Sequence, residues 1–384
     1  MSAALLFDEG QSSFADAMER LAVKEFGEGY LARATSDKFP LEQWERLGEL
    51  GLLSLLAPES NGGEGADHVS MGIALEALAR WDFNVAYLAF SANTTASLLT
   101  RHFDVSADPA LVESSLRGER IGCAAITEPR GGSDAVGLRL RAEPSEGGWV
   151  LTGEKTSVTM CAHADYAITF ATVDPGRGPS GIIGLVVDLD DDTISRQSFA
   201  DPGFRPLGRG SLTFDETFVP SHRQLGGTGR GIHTILAEFD FTRPGLALMC
   251  AGAALGAIER TVAYAKEREV FGQPISRYQG ISFPLVEHAT VLEGIRWLAY
   301  RTLALRDAGL PHTTEAAMVK WWAPRAAVDA INECVIAHGH VGWSMEMPFM
   351  QLLADVSGLQ IGDGTPQIQK LIIARSLFGR GYVG

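Results

Sequence analysis

Apolar residues in the first 118 positions recur at three- and four-residue spacing, which is typical of helices packed on a core. The clearest run carries Phe14, Met18, Leu21, Ala22 and Phe26. Three further segments, 41–56, 71–81 and 85–99, repeat the pattern, and Asn61-Gly62-Gly63 interrupts it. We therefore predict an N-terminal helical domain over residues 1–118.

Short runs of β-type residues replace this pattern between residues 119 and 228. The runs at 149–152, 166–170 and 182–187 are rich in β-branched and aromatic side chains, and glycine, proline and aspartate separate them. Several short strands at close spacing predict an antiparallel barrel or sandwich as a middle domain over residues 119–228.

Helical spacing returns after a glycine-rich link, Gly226–Gly231, and continues through residues 229–384. Pro244 suits the start of the first helix, with Asp240 or Thr242 as its cap, and Pro324 should kink or interrupt the third. The fold class is therefore α+β and multidomain, in the order α, β, α. The predicted helices of this C-terminal domain cover residues 246–266, 284–307, 314–338 and 368–378.

Charge and cysteine usage exclude several classes of function. The formal net charge is −15 and no run of lysine or arginine occurs, so we expect no nucleic-acid partner. The four cysteines lie far apart and outside any CxxC pair, which predicts free, buried thiols and no metal site. The N-terminus lacks the basic region of a signal peptide, and the most apolar stretch, 246–258, is too short to span a bilayer. We expect a soluble, cytoplasmic protein without a membrane partner.

Six motifs carry candidate chemistry, and two of them, Phe239-Asp240-Phe241-Thr242-Arg243-Pro244 and His338-Gly339-His340-Val341-Gly342-Trp343, lie in the C-terminal domain. Residues 124–134 form a strand that runs into a glycine turn, where backbone amides and Ser133 can approach a phosphate, although an ordinary β-turn has the same composition. Residues 153–159 follow it in the middle domain. The C-terminal domain contains Arg268-Glu269-Val270-Phe271-Gly272-Gln273-Pro274-Ile275 and Ile361-Gly362-Asp363-Gly364-Thr365-Pro366-Gln367-Ile368-Gln369.

Together the motifs resemble the signatures of the acyl-CoA dehydrogenase family, over nearly the whole chain. The resemblance implies the acyl-CoA dehydrogenase fold, with an N-terminal helical domain, a β-barrel-like middle domain and a C-terminal four-helix bundle. It further implies an FAD cofactor and a thioester substrate on CoA or an acyl carrier protein. It also implies a dimer or tetramer with FAD sites shared between subunits. An electron-transferring flavoprotein is the electron acceptor expected of a dehydrogenase.

By the same resemblance, Asp363 is the base that removes the substrate α-proton while the β-hydride passes to flavin N5. The expected FAD contacts are Ala125, Thr127, Ser133, Ser157, Thr159, Arg268, Phe271, Gln279, Gly339, Thr365 and Gln367. The expected substrate contacts are Ser133, Asp240, Arg243 and Gly364. A structural ion pair is the alternative role for Arg243.

The base loop departs from the family pattern. Asp363 replaces the usual glutamate and is one methylene shorter, so either the loop lies closer, with Gly362 supplying backbone freedom, or the substrate lies differently. A degenerate remnant is the alternative reading of Asp363. The family's other position for the base is Thr242 here.

Further departures lie around the expected flavin site. Ser157 replaces a tryptophan and is expected to open that side of the site, although drift at a tolerant position explains it equally well. His340 replaces a glycine and is expected to tolerate the backbone angles of a turn. Asp355 follows Ala354 where the family has Arg-Asp, so an ion pair is expected to be lost.

The first hypothesis for the function is FAD-dependent α,β-dehydrogenation of an acyl thioester. The second is a flavin oxidase of a non-thioester carbon acid, similar to the nitroalkane oxidases, which also use an aspartate base. The third is a non-catalytic flavoprotein that keeps the fold.

Overall fold

Helices dominate the secondary structure of this computed structural model, which describes residues 7–226 and 231–383. The helices in those ranges are α1 (Glu9–Phe26), α2 (Tyr30–Ala34), α3 (Leu41–Glu49), α4 (His68–Trp81), α5 (Phe83–His102), α6 (Pro109–Leu116), α7 (Gly231–Glu267), α8 (Gln279–Asp307), α9 (Thr313–His338), α10 (Phe349–Gly358) and α11 (Pro366–Phe378). The strands are β1 (Gly122–Ala125), β2 (Arg141–Ser145), β3 (Gly148–Val158), β4 (Tyr166–Thr172), β5 (Ile182–Asp188), β6 (Ile194–Ser198), β7 (Gly210–Pro220), β8 (Gln224–Leu225), β9 (Glu269–Val270) and β10 (Gln273–Pro274). Most of the predicted link Gly226–Gly231 lies outside the described residues.

The chain divides into two compact units. The helical unit contains residues 7–35, 67–87 and 240–383, and the sheet unit contains residues 36–66, 88–226 and 231–239. The division falls within α5 and α7. The domain boundaries at 118/119 and 228/229 stay predictions.

The sheet unit is built on one eight-stranded sheet with the order β6-β7-β3-β2-β4-β5-β8, and β1 pairs with β4. Both β1 and β2 run parallel to β4, while the other pairs are antiparallel. The expectation of a purely antiparallel sheet is therefore wrong. All seven residues of β4 are buried, because both of its faces are covered.

The core of the sheet unit forms between this sheet and helices of the same unit. Leu98, Leu99 and Phe103 at the end of α5 join Leu111 and Leu116 of α6 against buried residues of β4 and β5, which include Tyr166, Ile168, Phe170, Ile182 and Val186. Asp108 caps α6 by accepting from the Leu111 amide at 3.0 Å.

The helix predicted over 41–56 is shorter than its periodicity suggests. It ends at Glu49, and Gly51 follows with a φ of 72°. Asn93 then takes over the backbone groups of the segment, since its amide donates to the Leu52 carbonyl at 2.8 Å and accepts from the Leu56 amide at 3.0 Å. These side-chain bonds satisfy the backbone groups that helical bonds would otherwise satisfy. The segment therefore stays buried without being helical, and its apolar spacing continues beyond the end of the helix.

Two prolines expected to mark helix boundaries lie inside helices. α7 begins at Gly231, so neither Asp240 nor Thr242 caps it, and Pro244 lies in its interior. α9 runs uninterrupted through Pro324, whose ring is buried. The lost N–H costs each helix one hydrogen bond, and burial of the surrounding side chains outweighs that loss.

Helices α4 and α7 approach each other closely in the helical unit. A Cβ added at Gly252 would lie 2.4 Å from the Glu76 carbonyl oxygen, and one at Gly256 would lie 2.4 Å from that of Arg80. Real Cβ atoms do not approach backbone that closely, so these two glycines set the distance between the helices.

One helical segment in the described residues, Glu238–Glu267, is long and apolar enough to cross a membrane by length and composition, with a mean hydropathy of 1.4. The expectation that the apolar stretch is too short was therefore wrong for the helix as a whole. However, 72% of the apolar window is buried inside the protein. Core helices of soluble proteins pass the same test, and burial against neighbours accounts for the composition here.

We predict that Gly252→Ala destabilises the protein by about 1–3 kcal/mol, because the backbones of α4 and α7 must separate. Thermal unfolding of the purified protein measures the effect. Gly294→Ala in α8 is the matched control, since the added Cβ meets only a Trp322 ring atom at 3.6 Å. There the gain in helix propensity should raise stability by about 0.5–1 kcal/mol. Equal effects of the two substitutions would contradict the role assigned to Gly252.

Candidate active site

The predicted base lies on a tight loop between α10 and α11 in the helical unit. Asp363 has a φ of 54° and Gly364 a φ of 93°, both in the left-handed region, whereas Gly362 does not take a positive φ. The expectation that Gly362 supplies the backbone freedom is thus wrong. Aspartate tolerates this region better than most residues. At Gly364 any side chain is excluded, since a Cβ would lie 2.5 Å from Gln369 Nε2.

Buried cations surround the carboxylate of Asp363. Its Oδ2 atom is buried and has no hydrogen-bond partner among the described residues. Arg243 of α7 is 6% exposed and Lys320 of α9 is 1% exposed. Burial lowers the pKa of both groups below their ordinary values, and the attraction of Asp363 opposes that shift. Asp363 and Arg243, predicted separately from two motifs, are therefore brought into one electrostatic cluster.

Asp240 and Arg243, both expected to contact substrate, also interact with each other. One carboxylate oxygen of Asp240 lies 3.5 Å from Arg243 Nη1, and the other accepts from the Thr313 hydroxyl at 2.7 Å. The thioester-side role and the structural ion pair proposed for Arg243 are thus not exclusive, because one residue can serve both.

Sequence reasoning missed Lys320 and assigned no role to Gln369. Lys320 Nζ donates to the carbonyl oxygens of Leu359 at 2.8 Å and Gly364 at 3.4 Å. Gln369 Nε2 donates to the carbonyls of Asp363 at 3.0 Å and Gly364 at 3.2 Å. The available signal for Lys320 was its place inside the apolar run 316–322 of a predicted helix.

A buried ion pair joins the two motifs of the sheet unit. Lys155, with no exposed side-chain surface, donates to Glu128 at 2.8 Å and to the Ile126 carbonyl at 2.8 Å. The Glu128 carboxylate also accepts from the amides of Arg139 and Leu140 at 2.7 and 3.0 Å. Burial lowers the pKa of Lys155 to about 8, against the opposing attraction of Glu128.

Ser157, at the position of the family's tryptophan, is exposed, and its hydroxyl is bonded to a guanidinium. Arg209 Nη1 donates to the Ser157 hydroxyl at 2.5 Å, and Asp201 holds the same guanidinium through two bonds of 2.8 and 2.5 Å. The guanidinium also lies over the Phe199 ring at 5.2 Å. Ser157 has a φ of 59°. A polar, positively charged group thus lies beside Ser157, and the opening of this side of the site stays a prediction.

The remaining predicted cofactor residues differ in exposure. Ala125 is buried in β1, Thr127 and Thr159 are half-buried, and Ser133 is exposed in the sheet unit. In the helical unit Thr365 caps α11. Four others are exposed and make up a separate set, namely Arg268, Gln279, Gly339 and Gln367. Phe271 is 95% exposed, at a φ of 52°.

Two further expectations concern the C-terminal region, and the loss of an ion pair at Asp355 stays a prediction. The positive φ of the turn near 340 belongs to Gly339, at 65°, and His340 does not share it. Asp355 is fully buried, and its carboxylate accepts from the Tyr30 hydroxyl at 2.8 Å, the Asn84 amide at 3.0 Å and the Gln351 amide at 3.0 Å. Neutral donors therefore stabilise this carboxylate.

The four cysteines are free and buried, as expected.

The donor set suits a flavin dinucleotide. The backbone bond from the Thr156 amide to the Thr127 carbonyl, 2.9 Å long, holds the two sheet-unit motifs side by side. Their hydroxyl groups are the donors that flavin and phosphate oxygens require. In the helical unit, Arg268 offers fixed guanidinium donors for phosphate, and the exposed Phe271 ring offers a stacking face.

Three family models match the chain in consecutive segments. They are the N-terminal domain of acyl-CoA dehydrogenase over residues 8–103, the middle domain over 123–217 and the C-terminal domain over 229–378.

Individual relatives resemble the chain over nearly its whole length. An acyl-CoA dehydrogenase of Bacillus subtilis is 34% identical over 380 residues, with 94% of this chain and 97% of the relative covered. The mitochondrial short-chain specific acyl-CoA dehydrogenase of Rattus norvegicus is 31% identical, with 95% and 90% covered. The structure of butyryl-CoA dehydrogenase from Megasphaera elsdenii matches with a TM-score of 0.92 at 26% identity, over 97% of this chain and 99% of that one.

We predict that Lys155→Met destabilises the protein by about 3–5 kcal/mol, because it leaves the buried Glu128 carboxylate without its cation. Adding Glu128→Gln should recover part of that loss, since the amide is neutral and still accepts from backbone. Thermal unfolding of the two variants measures this coupling. Lys38→Met, at an exposed lysine of the same unit, is the control and should unfold like the wild type. Strictly additive losses would contradict the coupling.

Proposed function

The chain belongs to the acyl-CoA dehydrogenase family, and on that premise we propose that Asp363 is the base that removes the α-proton of an acyl thioester. Members of this family are FAD-dependent oxidoreductases that act on CH–CH bonds. When bound, FAD accepts the hydride that leaves the β-carbon. The observation that carries the proposal is the buried Asp363 Oδ2, which has no hydrogen-bond partner among the described residues.

An unpartnered oxygen suits a base, because it can accept a proton without first breaking a hydrogen bond. The positive charges of Arg243 and Lys320 stay close to Asp363 during the proton transfer. As the proton moves, negative charge passes from Asp363 to the enolate-like substrate, and nearby positive charge stabilises both distributions. This supports a working base rather than a remnant.

Two features of the loop compensate for the short side chain of aspartate. The left-handed backbone at Asp363 and Gly364 makes a tight turn, and Gln369 holds the carbonyls of both residues. We propose that this turn carries the Asp363 backbone towards the substrate, replacing the reach that glutamate has from its extra methylene. Contact at about 3–3.5 Å is needed for reaction.

On the substrate side, we propose that Arg243 and Gly364 face the thioester, with Asp240 and Thr313 orienting the guanidinium. The carrier is CoA or an acyl carrier protein, and an electron-transferring flavoprotein takes the electrons. FAD would be held by Ala125, Thr127, Ser133, Ser157 and Thr159, and by Thr365 and Gln367. We place the enzyme in the cytoplasm.

We further propose a homo-oligomer, dimer or tetramer, in which Arg268, Phe271, Gln279 and Gly339 serve the FAD of a neighbouring subunit. The support is their exposure on the single chain, above all the 95% exposure of Phe271. An aromatic side chain that far out of the protein gains burial only from a ligand or a second chain.

We predict that Asp363→Asn slows bleaching of the bound flavin by short acyl thioesters by about a hundredfold to ten-thousandfold, since a general base is removed. Asp363→Glu should retain more activity than Asp363→Asn, because it keeps a carboxylate but displaces it. Anaerobic mixing followed at the flavin absorbance measures both. Asp192→Asn, at an exposed turn carboxylate, is the matched control.

Undiminished bleaching in Asp363→Asn would remove Asp363 as the base. If no thioester bleaches the wild-type flavin but a nitroalkane does, with oxygen consumed, the oxidase hypothesis replaces the dehydrogenase. Bound FAD that no substrate reduces would favour the non-catalytic alternative.

We predict that Phe271→Ala leaves the chain folded but lowers the FAD retained after gel filtration, because the stacking face is lost. The absorbance ratio at 450 and 280 nm measures the retained cofactor. Light scattering gives the oligomeric state. Phe218→Ala, at a 47% exposed phenylalanine of β7, is the control. A monomer, or full retention of FAD by Phe271→Ala, would contradict the shared site.

A further inference from the structure

Lys320 occupies a place that a charged side chain rarely occupies without a specific partner. It lies in the middle of α9 between Val319 and Trp321, and 1% of it is exposed. Burying an ammonium group costs several kcal/mol unless oxygen atoms replace its water shell. The hydrogen-bond acceptors of Lys320 therefore indicate which part of the protein this buried charge stabilises.

The partners of Lys320 lie at both ends of the loop that carries Asp363. The Leu359 carbonyl, 2.8 Å away, belongs to the residue that ends α10, where a cation is favourable for the helix dipole. The Gly364 carbonyl, 3.4 Å away, directly follows Asp363. One ammonium group thus spans the loop from the end of α10 to the residue after the base.

Gln369 holds the same loop from the opposite element. It lies in α11 with no exposed surface, and its Nε2 donates to the carbonyls of Asp363 and Gly364 at 3.0 and 3.2 Å. The Gly364 carbonyl therefore receives bonds from α9 and from α11. Both residues donate hydrogen bonds to backbone carbonyls of the loop and none to the Asp363 carboxylate.

The electrostatic surroundings of Lys320 involve three other titratable groups. Asp363 attracts it, while Arg243 of α7 repels it and the buried Cys250 of α7 also faces it. Arg243 in turn lies beside Asp240. Removing the Lys320 charge therefore changes the electrostatic surroundings of Asp363 as well as the hydrogen bonds to its loop.

We propose that Lys320 and Gln369 are positioning residues for the proton-transfer step, which hold the Asp363 loop so that the short carboxylate reaches the substrate. This inference rests on the proposed function, in which Asp363 is the base. Lys320 also places a positive charge near Asp363, which Gln369 does not. A base that is already one methylene short tolerates little further displacement, because a misplacement of about 1 Å costs about a hundredfold in rate.

The test uses holoenzyme of Lys320→Met and Gln369→Met, two substitutions that keep side-chain length and remove the donors. Rapid anaerobic mixing with a short acyl-CoA yields the rate constant of flavin bleaching and the apparent dissociation constant separately, across pH. We expect the rate constant to fall about tenfold to a hundredfold in both variants, with the dissociation constant changed less than about threefold.

Lys370→Met is the matched control, since Lys370 is exposed on α11 and lies over the Trp321 ring at 4.7 Å. It should bleach at the wild-type rate. Hydrogen exchange of the peptide containing residues 359–364 provides a second measurement, and faster exchange is expected in both methionine variants but not in Lys370→Met.

Wild-type rate constants in Lys320→Met and Gln369→Met would overturn the inference. If Lys320→Met does not fold, Gln369→Met decides, and an unchanged rate there sinks the proposal equally. Failure of the proposed function has a different signature, because then Asp363→Asn itself bleaches at the wild-type rate.

Discussion

An ammonium group that is buried away from water must be surrounded by oxygen atoms. In this chain two buried lysines donate hydrogen bonds to backbone carbonyls of loops in the candidate site. Lys320 donates to the carbonyls of Leu359 and Gly364, and Lys155 donates to the Ile126 carbonyl and to Glu128. A buried donor left unpaired costs more than the bond itself contributes. If either loop moved away, its buried lysine would lose its acceptors, and the unpaired ammonium group would destabilise the protein. The desolvation of charge, more than the conformational preference of the loops, holds the candidate site in shape.

The same constraint explains why two motifs far apart in sequence occur together. Glu128 lies in the glycine-turn motif and Lys155 lies in the next one, 27 positions later, yet they form one buried pair. The Glu128 carboxylate further binds the amides of Arg139 and Leu140. Three segments of the sheet unit are thus joined at a single carboxylate.

Periodicity predicted the helices well and their boundaries less well. Spacing of apolar residues reports burial, and burial continues beyond α3, where Asn93 holds a non-helical segment against the core. It also outweighs the local preference of Pro244 and Pro324 to end a helix. The candidate base was visible because a motif marks it. Lys320, Gln369 and Arg209 were not, since their partners include backbone carbonyls and side chains of remote segments, which carry no local signature.

The departures of this chain from its family are coupled by backbone geometry rather than independent. Asp363 adopts a φ of 54°, a conformation that aspartate takes more readily than glutamate because its short carboxylate can bond locally. The replacement of glutamate by aspartate therefore also favours the tight turn seen at Asp363 and Gly364. Gly364 must then be glycine, because Gln369 Nε2 fills the space beside it. At the other departure, Ser157 makes room for the guanidinium of Arg209, which Asp201 holds in place. With Asp363 as the proposed base, its left-handed turn and the guanidinium beside Ser157 bear on both the reach and the polarity of the site. The acyl group that fits it should accordingly differ in shape from one that suits a glutamate base and an aromatic wall.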